Sequence, residues 1–156
     1  MTSNLYTRRN IIGAAISLLT VPDVVRGALA AQALPQVQAY RNPGCSCCEI
    51  WAEHMRRAGF SITMVDDSGL AARRAGLGVP EEIFGCHTAL VGDYVVEGHV
   101  PPEDVMRLLA EKPDARGLAV PGMPVGSPGM DGGSTAEPYD VLIFKAGASW
   151  KVYASH

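Results

Sequence analysis

The sequence predicts one α/β domain, and three observations carry the prediction. Short runs that alternate polar and apolar residues are interleaved with runs of helical period. Their order is strand, helix, strand, helix, then two strands and a helix (βαβα-ββα). The chain also has 156 residues, 47% of them hydrophobic and 19% charged, enough for one domain with its own core.

Residues 36–40 alternate, with a β-branched and an aromatic residue, and predict the first strand. A turn follows, with Asn42-Pro43-Gly44 ahead of the cysteines. Residues 49–58 place Ile50, Trp51, Met55 and Ala58 on a roughly helical period, and Gly59 ends that helix. Residues 60–65 alternate again. Asp66-Asp67-Ser68 offers an N-cap for a short helix through Ala75, which Gly76 is expected to stop. Residues 88–91 and 94–96 predict two strands around Gly92-Asp93. Pro101-Pro102-Glu103-Asp104 opens a helix to Glu111, with proline in its first turn and acids at its positive end, and Pro113 stops it. This order, with a cysteine turn between the first strand and first helix, resembles a thioredoxin-like fold, whose redox motif sits at the same place.

The segment 113–138 is different in kind. It contains Pro121-Gly122-Met123 and, seven residues on, Pro128-Gly129-Met130. Its glycines and prolines are expected to forbid a long helix or a central strand. A loop this long inside a domain is usually functional or disordered. Residues 139–144 and 149–153, joined around Ala146-Gly147, predict a terminal hairpin at 139–153. An ordered hairpin beyond the loop implies that the loop packs back on the domain, which is expected over residues 36–156.

Residues 1–30 read as an export signal. Thr7-Arg8-Arg9-Asn10 is a basic stretch with a twin arginine, and residues 11–21 are apolar but too short to span a membrane. Ala28-Leu29-Ala30 and Ala31-Gln32-Ala33 are small-x-small cleavage sites. The pattern resembles a twin-arginine signal peptide, although Ile11-Ile12 stands where Phe-Leu is common; an uncleaved amphiphilic anchor is the alternative. Cleavage after Ala30 takes the net charge from -3 to -5 by removing three arginines and one acid. With no basic stripe, nucleic acid is excluded as a partner, and no stable membrane insertion is expected after cleavage. Periplasmic localisation also puts the cysteines in an oxidising compartment, where free thiols need a reason to stay free.

Cys45, Cys47 and Cys48 lie within four residues, and the fourth cysteine is paired with a histidine, Cys86-His87. Thiols this dense can chelate a soft metal, exchange disulfides, or do both. Cys45 and Cys48 have CxxC spacing, and Cys47 and Cys48 fall at a helix N-terminus, where exposed N–H groups favour thiolate. A structural disulfide with one odd cysteine is the bland alternative. In a thioredoxin-like fold, Cys86-His87-Thr88 would pass beside the cysteine turn; the proline common there is missing, which counts against ordinary disulfide exchange. A buried core histidine is the plain reading of His87. Met123 and Met130 offer thioethers, which select Cu(I) over zinc, against a plain packing role. Met55, Met64 and Met106 are expected in the core, while His54 and His99 are left open as contacts of a metal site.

Cys3His is a common zinc set, but two arguments oppose zinc. Consecutive strand residues point to opposite faces, so Cys86 and His87 are not expected to share one tetrahedral ion unless the backbone bends. Four thiols, an imidazole and two thioethers also exceed one closed site and suit two or more Cu(I) ions bridged by thiolates. The cysteine spacing matches neither common ferredoxin pattern.

Asn42-Pro43-Gly44-Cys45-Ser46-Cys47-Cys48, Gly85-Cys86-His87-Thr88-Ala89, Glu97-Gly98-His99-Val100-Pro101, Gly117-Leu118-Ala119-Val120-Pro121-Gly122-Met123-Pro124 and Gly126-Ser127-Pro128-Gly129-Met130 occur together and in this order. The set resembles the CopG-like family of bacterial periplasmic metal-binding proteins, long catalogued as a domain of unknown function. The resemblance runs from Val37 to the C-terminus. It implies a thioredoxin-like domain, a role in copper homeostasis and resistance, and copper gathered by Cys45, Cys47, Cys48, Cys86, His87, Met123 and Met130. Copper ions and other periplasmic copper-handling proteins are the implied partners. Two functions stay open: a protein that sequesters, carries or redox-buffers copper, and a thiol-disulfide oxidoreductase working through Cys45 and Cys48.

Overall fold

In the computed structural model, residues 33–132, 135–147 and 149–156 are described; the expected signal segment 1–30 lies outside them. Among the described residues, no helix is long and apolar enough to cross a membrane. The elements in chain order are β1 (Val37–Arg41), α1 (Ser46–Arg57), β2 (Ile62–Asp66), α2 (Leu70–Leu77), a 3-10 turn (Glu81–Ile83), β3 (His87–Val91), β4 (Tyr94–Glu97), α3 (Pro102–Glu111), β5 (Gly117–Ala119), β6 (Asp140–Lys145) and β7 (Ser149–Ser155).

The strands form one mixed seven-stranded sheet in the order β2-β1-β3-β4-β5-β6-β7. β1 is parallel to β2 and antiparallel to β3, while β4 is antiparallel to β3 and parallel to β5. Strand alternation separates two apolar layers. The rung Ala39–Ala89–Val96–Leu118–Ile143 faces the larger core. Val95 and Phe144, one residue out of phase, face a smaller cluster with Val79 and Ile83. The buried positions of α1 are Cys48, Trp51, Ala52 and Met55, one stripe of helical period, of which Trp51, Ala52 and Met55 enter the larger core, whereas Ile50, expected on this face, is 45% exposed. Trp51 is fully buried, and its indole N–H donates to Val100 O at 2.9 Å. Met55 is buried, and Met64 and Met106 pack partly against this core.

Two expectations are corrected. α2 starts at Leu70, runs through Gly76 and ends at Gly78, whose left-handed backbone (φ 75°) stops it. Asp67 does not cap this helix; its carboxylate takes the Gly69 N–H in a tight turn at 2.8 Å. The larger correction is β5, a central strand inside the segment where glycine and proline were expected to forbid one. It is only three residues long and fits between Pro113 and Pro121, so neither proline has to donate to a ladder. Gly117 is needed there, because a Cβ would collide with the backbone of Val95. The terminal hairpin forms as expected and continues the same sheet, with β6 paired to β5.

Candidate metal centre

Cys45 occupies the N-cap of α1 with an extended backbone, and Cys47 and Cys48 fall in the first helical turn. Gly44 (φ 80°) makes the turn before them. Arg41 holds this turn to the sheet: it donates to Cys45 O at 3.0 Å and pairs with Glu49 and Asp66, each at 2.9 Å. Cys45 and Cys48 are joined as a disulfide with Cα atoms 5.5 Å apart, while Cys47 and Cys86 are free. Cys86 is the hub. Its sulfur lies 3.2 Å from Cys45 Sγ and 3.3 Å from both Cys47 Sγ and Cys48 Sγ. All four sulfurs fall within 4.8 Å of one another. Metal–sulfur bonds of about 2.3 Å put two sulfurs of one ion at most about 4.6 Å apart, and Cys86 lies within that reach of each of the other three. Burial pushes the Cys86 thiol up to about 12, helped by hydrogen bonding to Cys47 and the nearby Glu97 charge, with Arg74 opposing. Without metal it is therefore a thiol, and binding a soft cation would displace its proton.

The turn that delivers Cys86 is built tightly. Gly85 pairs with Gly122 in an isolated bridge, and a Cβ on Gly85 would stand 2.5 Å from Gly98 Cα. Beneath it lies a buried polar network that sequence reasoning missed. Glu97, with no exposure, accepts from Gly85 N–H at 2.8 Å and from Thr88 Oγ1 at 2.5 Å. Arg74 Nε stands 2.9 Å from Glu97, and its other arm donates to Gly85 O at 2.8 Å. Burial raises the Glu97 carboxyl from 4.5 to about 6, against the opposing pull of Arg74. The sequence signal was a lone acid closing the apolar run Tyr94-Val95-Val96.

His87 is fully buried. Its ring centroid lies 4.1 Å from that of Trp51 and 5.1 Å from that of His99 in an edge-on arrangement. Among the described residues, neither of its nitrogens has a hydrogen-bond partner. Burial holds the His87 imidazole neutral by lowering its pKa well below 6.5, and lowers that of His99 too. His99 Nδ1 is 2.8 Å from Pro128 O, so this nitrogen carries the proton and donates, while Nε2 is left unpartnered. Contrary to the strand-alternation argument, donor atoms of Cys86, His87 and His99 lie within 4.8 Å of one another. The reason is a bend at Cys86, which stands just outside β3 and so escapes the alternation of its residues. His54 lies apart from this group, with Nε2 2.7 Å from Asp131 Oδ2.

The loop methionines differ in setting. Met123 is 52% exposed and follows Gly122, the bridge partner of Gly85. Met130 is half-buried and follows Gly129, where a Cβ would stand 2.7 Å from Cys47 O, 2.9 Å from Trp51 N and 3.1 Å from His99 Nδ1. The second Pro-Gly-Met thus has its backbone against the first turn of α1, tied by His54–Asp131 and His99–Pro128.

Among known proteins, the family described as "Protein of unknown function, DUF411" matches residues 83–130, which span Cys86, His87, His99 and both loop methionines. No curated protein matches the chain. Two solved structures, forms 1 and 2 of a copper resistance protein copG, are similar to it at 36% and 37% identity, each with a TM-score of 0.74. Each comparison covers 79% of this chain and 98% of the other. On these grounds the chain belongs to the CopG-like copper resistance protein family.

Proposed function

We propose that this protein binds copper in the periplasm for copper homeostasis and resistance. Its cargo is Cu(I), more than one ion, held by Cys45, Cys47, Cys48, Cys86 and His87 with Met123 and Met130 closing from the loop. The observation that carries this reading is the convergence of four sulfurs within 4.8 Å around Cys86. Four soft donors with a neutral imidazole beside them suit Cu(I), and thiolates bridge such ions readily. Loading all four sulfurs requires the Cys45–Cys48 pair in its reduced form. The half of the sheet ordered β2-β1-β3-β4, with β3 antiparallel, supports a thioredoxin-like core for this domain. The periplasmic assignment rests on the twin-arginine stretch Arg8-Arg9.

A thiol-disulfide oxidoreductase is the second reading, favoured by the disulfide between Cys45 and Cys48 at the start of α1. Cys47 separates the two. Exchange needs only Cys45 and Cys48, whereas a copper cluster uses Cys47 as well. Copper content of Cys47→Ser after periplasmic expression with copper, with thiols counted in the same sample, is the test. The copper reading expects a lowered metal-to-protein ratio. Full loading together with retained insulin-reduction activity favours the oxidoreductase.

A further inference from the structure

The sheet ends on β7, and among the described residues no strand pairs with its outer side. An edge strand presents unpaired N–H and C=O groups outward, where another chain can bond them. Proteins usually blunt such an edge, and the C-terminal part of β7 is blunted. The register slips at Val141/Leu142, and Arg107 Nη2 donates to Tyr153 O at 2.7 Å. The stretch 149–152 lies ahead of both devices.

The register with β6 sorts the side chains of this stretch onto two faces. Trp150 and Val152 lie opposite Phe144 and Leu142 on one face. They are 40% and 53% exposed, two of the four large hydrophobics left exposed among the described residues, so folding leaves this apolar stripe uncovered. Lys151, opposite Ile143, and Lys145, opposite Ser149, share the other face. The chain has three lysines and a net charge of -3, so this hairpin is a basic spot on an acidic protein. Lys145 is paired with Asp114 at 2.5 Å, whereas Lys151 forms no ion pair among the described residues. A half-open cleft of about 400 Å³ runs beside them, between Pro113, Asp114, Trp150 and both lysines.

This charge pattern selects the partner. A second copy is disfavoured, because a two-fold antiparallel pairing of β7 with itself puts both Lys151 side chains on one face, with Lys145 of each copy behind them. An extended segment that alternates apolar and acidic residues fits both faces. Its apolar side chains cover Trp150 and Val152, and its carboxylates meet Lys151 and the cleft beside Lys145. We propose that the stretch 149–152 is a docking site for one extended acidic segment of a partner protein, which adds a strand to the open edge of the sheet. β7 lies four places from β3 in the strand order, about 19 Å at about 4.8 Å per strand, so docking leaves the cysteines uncovered. The inference goes beyond the copper reading and does not depend on it.

The chain has two tryptophans, Trp51 fully buried and Trp150 exposed, so a change of emission on binding reports this edge. The probe is a capped Val-Glu-Val-Glu-Val peptide titrated into the reduced, metal-free full chain, with Val-Lys-Val-Lys-Val as control. The expected result is a saturable blue shift with the acidic peptide alone, with backbone amide shifts at residues 149–152 in 1H–15N spectra. Lys145→Glu with Lys151→Glu should weaken the acidic peptide about tenfold and let the basic one bind. Lys151→Glu alone leaves the Lys145–Asp114 pair in place and should move the preference in the same direction. Binding of neither peptide, equal binding of both, or a preference that survives both charge reversals overturns the inference. A Trp150 shift with phosphatidylglycerol vesicles but with neither peptide assigns the face to a membrane and overturns it. So does self-association that is lost in Trp150→Ala, in the absence of peptide binding, which assigns the face to a second copy.

Discussion

The buried pair Arg74–Glu97 props the turn that presents Cys86, and Arg74→Met tests how much it matters. Glu97 has no side-chain exposure and Arg74 only 10%. Removing the guanidinium leaves a buried carboxylate with two donors, Gly85 N–H and Thr88 Oγ1, and no counter-charge. Breaking a buried pair from one side costs about 3–5 kcal/mol. The cost should depend on pH, and the sign follows from Glu97. Its carboxyl is raised from 4.5 to about 6, so the native state holds this proton more tightly than the unfolded state does. Its contribution to stability is fully present below 4.5 and is lost as pH rises through about 6, a loss of about 2 kcal/mol at 1.36 kcal/mol per unit. Removing Arg74 removes the charge that holds the value down, so the loss in the variant extends to higher pH. Urea melts of metal-free, reduced protein at about pH 5 and about pH 7.5 should therefore show a smaller Arg74→Met penalty at the lower pH. Arg74→Met with Glu97→Gln should recover much of the loss, because no buried charge is left unpaired. An equal penalty at both pH values, or a double variant no more stable than Arg74→Met, would refute the reasoning.

Replacing Met123 and Met130 together by leucine should change folding stability by less than about 1.5 kcal/mol, since volume is conserved. Cu(I) affinity in chelator competition should fall while zinc binding stays nearly unchanged, and equal Cu(I) affinity and stoichiometry would take both thioethers out of the site. Gly129→Ala would put a methyl 2.7 Å from Cys47 O at a backbone angle of φ 93°. The strain, about 1–3 kcal/mol, should lower the melting temperature and expose the 126–131 segment to protease; a silent substitution would mean that the loop does not rest on α1. Arg8→Lys with Arg9→Lys should stop export, and an unchanged periplasmic yield would remove the twin-arginine assignment.

Much of the fold was legible because its signals are local. Trp51 and Met55 on one face of α1, the alternation of β1, and the Pro-Pro start of α3 are set by neighbours along the chain, whereas Ile50, read on the same face, turns out to solvent. Gly59 and Gly78 both adopt left-handed backbone after their helices, but sequence alone chose Gly76 over Gly78 as the stop of α2. A glycine inside a helix costs only about 1 kcal/mol, so either position was open until the next turn had to pack. β5 escaped because three residues carry no periodicity, and its pairing depends on strands distant in sequence.

At the site, the sequence by itself determined the chemistry: four thiols, Cys86 joined to His87, and a loop with two Pro-Gly-Met turns, all soft donors. It could not determine which donors meet. Cys86 reaches Cys45, Cys47 and Cys48 across some forty positions, through the pairing of β1 with β3 and the bend that frees Cys86 from strand alternation. The roles of His99 and Glu97 likewise depend on burial and on partners far away, Pro128 for one and Arg74 for the other. Residue type decides what a side chain can bind and can be read one position at a time. Whether its lone pair is left bare, shared or protonated depends on what three-dimensional packing brings within a few ångströms, and only the folded chain decides that.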